Sequence, residues 1–84
     1  MHGMSIQNEM RRTRLANLQY TEKRLRADID ALARLICINL DGSLRRAEDL
    51  PVAETDAQWD ELKSKWAELI AAQAEIKRLE EELR

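Results

Sequence analysis

The stretch from Leu15 to Leu40, LANLQYTEKRLRADIDALARLICINL, constrains this chain more than any other. Leu15, Leu18, Glu22, Leu25, Ile29, Leu32 and Ile36 recur at alternating steps of three and four. That spacing is the mark of an amphipathic α-helix with one seam, interrupted by a polar residue at Glu22. After Asp30 the seam widens, because ALARLICINL has eight apolar residues in ten. A helix that is apolar over most of its circumference is buried on more than one side. One partner helix would not cover it.

The rest of the sequence reads as a cover for this helix. Ser5 is a candidate N-cap, since its hydroxyl can accept a bond from an early helical N–H. Residues 1–4 read as a disordered lead-in. Residues 6–14 are polar, with Ile6 and Met10 as the large apolar exceptions. Asp41-Gly42 predicts the end of the helix, with Gly42 in the left-handed position after the C-cap. The connector SLRRAEDLPVAE follows. Ser43 is expected to cap a short turn reaching about Asp49, with Leu44 and Leu50 turned inward and Val52 as a further apolar contact. The connector should fold over the apolar end of the first helix. Thr55-Asp56-Ala57-Gln58 has the form of a capping box and predicts a second helix over about 55–84. Its expected seam is Trp59, Leu62, Trp66, Leu69, Gln73, Ile76, Glu80 and Leu83. Glu61 and Lys65 stand in the favourable i, i+4 order for an ion pair.

Composition supports an all-helical reading. Charged residues make up 36% of the 84, Phe is absent, and Gly and Pro together occur three times. Long helices have this composition, and strand-rich folds do not. The charges are unevenly spread. Residues 1–46 carry nine Lys/Arg against five Asp/Glu, and residues 47–84 carry five against eleven. Two helices joined by the 14 residues 41–54 should fold back antiparallel. That sets Arg11, Arg12 and Arg14 beside Glu80, Glu81 and Glu82. Each helix would be about 45–50 Å long at 1.5 Å per residue.

The expected architecture is therefore all-α: one helical-hairpin domain over 1–84, with helices at about 5–40 and 55–84. A lone two-helix layer has little interior, so the hairpin is expected to dimerise into a four-helix bundle or to dock on a larger protein. Leu35, Ile38, Leu40, Trp59 and Trp66 are the candidate interface. Trp is enriched at binding hot spots, although a Trp pair seven residues apart also suits a bundle core. Glu22, Gln73 and Glu80 interrupt the seams and are candidates for fixing register.

The function expected is a non-enzymatic interaction module, a small adaptor or regulator acting by helix-on-helix docking. Catalytic and metal-binding residues are not expected. His2 is the single histidine, Cys37 is the single cysteine, and no Cys/His set has metal-ligand spacing. Cys37 lies between Ile36 and Ile38 and is expected to be a buried free thiol. Gly42 alone does not make a phosphate-binding loop, and no cofactor is expected. No run approaches the ~20 apolar residues of a membrane span. The opening MHGMSIQNEMRR lacks a signal-peptide core, so a cytoplasmic setting without membrane contact is the expectation.

The alternative is a nucleic-acid-binding hairpin that uses Arg11, Arg12, Arg14, Lys23, Arg24 and Arg26 on the basic face of the first helix. A basic segment ahead of Leu18, Leu25 and Leu32 resembles the layout of bZIP proteins, which would imply a DNA-binding dimer. The leucine run is short, however, and the base-reading Asn of such regions has no counterpart. The acidic second half would also repel phosphate.

Overall fold

The computed structural model describes residues 2–84, with side chains from Ile6 onward. Two helices dominate: α1, His2–Asn39, and α2, Val52–Glu82. A single 3-10 turn, Ala47–Asp49, lies between them. The helices pack antiparallel as a hairpin of 68 × 15 × 15 Å. Among the described residues there is no strand.

The seam of α1 follows the expected period and extends it at both ends. Asn8, Arg11, Leu15, Leu18, Glu22, Leu25, Ile29, Leu32, Ile36 and Asn39 are all partly or fully buried. In α2 the seam is Thr55, Gln58, Leu62, Lys65, Leu69, Ala72, Ile76, Leu79 and Leu83. It shares Leu62, Leu69, Ile76 and Leu83 with the expected line. Trp59, Trp66 and Glu80 fall outside it and are exposed. Thr55, Gln58, Lys65, Ala72 and Leu79 face α1 in their place. The physical reason is width: a two-helix contact is narrow, and a small Ala or a half-polar residue fits it where an indole does not.

The interior is thin. Leu25, Leu69, Ala72, Ile76 and Leu79 are the buried apolar residues, and Leu79 is the deepest at 2% exposed. Four of these five lie in the C-terminal half of α2. Toward the turn, Ile29, Leu32, Ile36 and Leu62 are only half-buried. Near the turn the fully buried residues are the polar Asn39 and Thr55.

Several local expectations differ from the structure. Helix α1 already runs through Ser5, so Ser5 is not at its start. Residues 2–4 are helical rather than a disordered lead-in; Met1 and the side chains of His2 and Ser5 lie outside the described residues. Among the described residues no glycine has positive φ, so Gly42 does not take the left-handed position. The turn is held instead by Asp41, whose carboxylate accepts the Ser43 N–H at 2.9 Å and its hydroxyl at 2.7 Å. This Asx-type turn competes with helical bonding and ends α1. Arg45 Nη1 donates to the Asn39 carbonyl at 3.1 Å, satisfying one of the carbonyls a helix end leaves open.

Helix α2 begins three residues earlier than the capping box suggests. Pro51 is its N-cap and makes no side-chain bond. Thr55 sits one turn inside, and its N–H and hydroxyl both donate to the Pro51 carbonyl, at 2.9 and 2.6 Å. Gln58 does not close a box but reaches α1. Leu44 and Val52 are exposed rather than turned inward, and only Leu50 is half-buried. The connector therefore leaves Leu35, Ile38 and Leu40 about half exposed. Cys37 is also exposed, because it lies on the outer side of α1, one step past the seam residue Ile36. Lys65 pairs with Asp28 across the hairpin at 3.4 Å, not with Glu61.

Candidate functional site

Four cross-helix pairs fix the register. Asn39 Nδ2 donates to Gln58 Oε1 at 2.9 Å near the turn. Lys65 meets Asp28 at mid-length. Arg14 meets Glu75 at 3.2 Å and Arg11 meets Glu82 at 3.3 Å toward the termini. The expected attraction between the basic start of α1 and the acidic end of α2 is present, with Glu75 and Glu82 as its acids. Because the helices are antiparallel and advance 3.6 residues per turn, this register sorts the remaining side chains onto two flanks.

On one flank α2 presents Glu54, Glu61, Glu68, Glu75 and Glu82, one every seven residues. The residues of α1 on the same side are Gln7, Arg14, Thr21, Asp28 and Leu35. The grooves there confirm the grouping: Thr21 lines one with Glu68 and Glu75, and Gln7 lines another with Glu82. Of the carboxylates on this edge, Asp28, Glu75 and Glu82 are paired to Lys65, Arg14, Arg11 and Arg78, whereas Glu54, Glu61 and Glu68 form no ion pair among the described residues. Glu75 is held below the usual carboxylate range chiefly by its hydrogen bond from Arg78, against the effect of burial and with lesser help from the charges of Arg78 and Arg14. Arg78 also donates to Glu82 at 2.6 Å.

On the other flank α2 presents Val52, Trp59, Trp66, Gln73 and Glu80, again one every seven. Helix α1 presents Arg12, Gln19, Arg26, Ala33 and Leu40. Near the turn this flank opens into a groove of about 330 Å³ lined by Ile29, Ala33, Trp59, Leu62, Lys63 and Trp66. Trp59 is 50% exposed and Trp66 58% exposed. Leu40 and Val52 extend the apolar surface toward the turn, and the exposed Ile70 borders it.

The five candidate interface residues therefore do not form one surface. Leu40, Trp59 and Trp66 share the tryptophan flank. Leu35 lies on the glutamate flank, and Ile38 lies on the back of α1, away from the seam. Periodicity within α1 did not separate them, since only the position of α2 does. The signal that would have placed α2 is the five-glutamate column: a strict seven-residue row of charge marks a flank, not a seam.

The six basic residues are likewise dispersed. Arg11 and Arg14 are engaged by α2, and Arg26 pairs with Glu22 at 3.5 Å within α1. Arg12, Lys23 and Arg24 form no ion pair among the described residues. Of the polar seam residues, Glu22 and Gln73 are half-buried and Glu80 is exposed. Among the described residues no helix is long and apolar enough to cross a membrane.

No family model matches this chain, and no curated protein or solved structure matches it. What the surface is for must be argued from its own chemistry.

Proposed function

We propose that this chain is a non-enzymatic protein–protein interaction module, a small adaptor or regulator that docks other helices against its tryptophan flank. The observation that carries this reading is the pair of half-exposed indoles over a nearly all-apolar groove in the turn-side half of the hairpin. Leaving two such side chains in water forgoes burial worth about 1.5–3 kcal/mol for a large apolar residue. Indoles also supply much contact area at low conformational cost, which suits docking. The flank is wide enough for a helix to lie along it, in the helix-in-groove manner.

Nucleic-acid docking on α1 has less support. Arg11 and Arg14, which would lead such a surface, are already paired to Glu82 and Glu75, and phosphate would have to displace those carboxylates.

The test is 19F NMR of 5-fluorotryptophan-labelled protein, titrated with itself and with soluble extract of its source cell. Docking moves or broadens the Trp59 and Trp66 resonances in at least one titration. Sharp, unmoved resonances in both would end this reading.

A further inference from the structure

We infer that the occupant of the tryptophan flank is a second copy of this chain, related by a two-fold axis parallel to the long axis, with both turns at the same end. This rests on the docking reading above and names its partner.

The argument is self-complementarity along the whole flank. The register set by Asn39–Gln58, Asp28–Lys65, Arg14–Glu75 and Arg11–Glu82 determines which flank residues stand at equal height. Leu40 is level with Val52, Ala33 with Trp59, Arg26 with Trp66, Gln19 with Gln73, and Arg12 with Glu80. A two-fold axis along the hairpin preserves height and lays α1 of each copy over α2 of the other. Arg12 then faces the partner's Glu80, and Gln19 faces the partner's Gln73. Arg26 meets the face of the partner's Trp66, a cation–π geometry. Ala33 and Leu40 cover the partner's Trp59 and the partner's Val52. Four of the five levels match in kind, charge with opposite charge, amide with amide and apolar with apolar, and the fifth sets Arg26 on an indole. Each helix also gains a second antiparallel neighbour, as in an up-down four-helix bundle.

Other arrangements fail at named residues. A two-fold axis perpendicular to the helices reverses height and sets Arg12 and Glu80 against Leu40 and Val52. Sliding the copies so that only the apolar halves overlap avoids that clash but covers half the length. Full overlap engages all five levels from Arg12 to Leu40, about 42 Å at 1.5 Å per residue, whereas half coverage leaves the polar levels without partners. Pairing through the opposite flank by the same two-fold operation sets Glu61 against the partner's Asp28 and Glu54 against the partner's Leu35, a like-charge level beside one that sets a carboxylate on an apolar side chain.

The test is a charge-swap mixing experiment at a level remote from the tryptophans. R12E and E80R are made as separate chains, checked for helicity by circular dichroism, and measured by sedimentation equilibrium. Each alone should have its dimer dissociation constant raised about tenfold, because each sets like charges opposite one another in both symmetry-related contacts. Mixing the two should restore association to near the wild-type value, since both opposed pairs then carry opposite signs. A charge pair confined to one chain cannot be rescued by mixing. If the mixture associates no better than its components, or if wild-type protein stays monomeric at every concentration, the inference is overturned. A monomeric wild type whose fluorotryptophan resonances still respond to extract overturns self-pairing and leaves the docking function standing. If they respond to neither titration, both fall.

Discussion

Asn39 at the end of α1 and Gln58 in the second turn of α2 hydrogen-bond to each other across the seam at 2.9 Å, with Asn39 91% removed from solvent. This amide pair closes the turn end of the interface where apolar packing is thinnest. Replacing either residue alone with Ala leaves the other amide partly buried without its partner. Each single variant should lose about 1–3 kcal/mol, whereas replacing both with Leu should be near neutral or stabilising. Urea denaturation of the two singles and the double measures this directly. A loss in the double variant equal to the sum of the two single losses would show that the pair is not coupled.

The connector makes an opposite prediction at Gly42. It has no positive φ, and a Cβ there would meet nothing within 4 Å. Gly42→Ala should therefore stabilise the hairpin by about 0.4–1 kcal/mol, by narrowing the unfolded ensemble. A lower melting temperature for that variant would mean that the turn needs a conformation only glycine reaches.

Acid should loosen both ends of the molecule. Asp41 is held below its ordinary value of 3.8, foremost by the Ser43 hydroxyl and then by the Ser43 N–H. Glu75 is held below 4.5, foremost by Arg78. A carboxylate whose folded pKa is depressed stabilises the fold above its unfolded value and loses that contribution as pH falls through the folded one. Melting temperature should thus hold from neutrality down to those ordinary values and decline beneath them. Ser43→Ala and Arg78→Gln should each flatten the decline. An unchanged acid limb in both would remove these two carboxylates from the account.

Leu35 and Leu40 are five residues apart and similarly exposed, yet they stand on opposite flanks. Leu40→Glu should weaken self-association about tenfold or more, because it buries an unpaired charge against the partner's Val52. Leu35→Glu should change it less than about twofold, as it only adds to an edge that stays in water. Light scattering across a dilution series distinguishes them. Equal effects would mean that the pairing surface has been placed on the wrong side.

Much of the hairpin is legible in the sequence. The α1 seam is clear as far as Ile29 because Leu15, Leu18, Leu25 and Ile29 are large and apolar and have no large apolar rivals at neighbouring positions. The antiparallel return is legible from opposite charges at Arg11/Arg14 and the acidic end of α2. The α2 seam is not. Two lines at three-and-four spacing run through Leu62, Leu69, Ile76 and Leu83, and the one through Trp59 and Trp66 is the more hydrophobic. Burial in a narrow two-helix contact is decided by fit rather than hydrophobicity, so Thr55, Gln58, Lys65 and Ala72 occupy it. The start of α2 was hidden for a similar reason: Thr55 has the chemistry of an N-cap, but its hydroxyl has the Pro51 carbonyl within reach. The exposure of Leu44, Val52 and Cys37 follows from where the connector runs, which no local pattern records.

The glutamate column has a consequence for stoichiometry. Endless filaments need two adhesive faces on each subunit, one to receive and one to extend. In this hairpin the indoles lie along one flank and the column of five glutamates along the other. On the self-pairing inferred above, assembly through the indoles would be finite: growth would stop at the first partner and leave the glutamate columns on the outside.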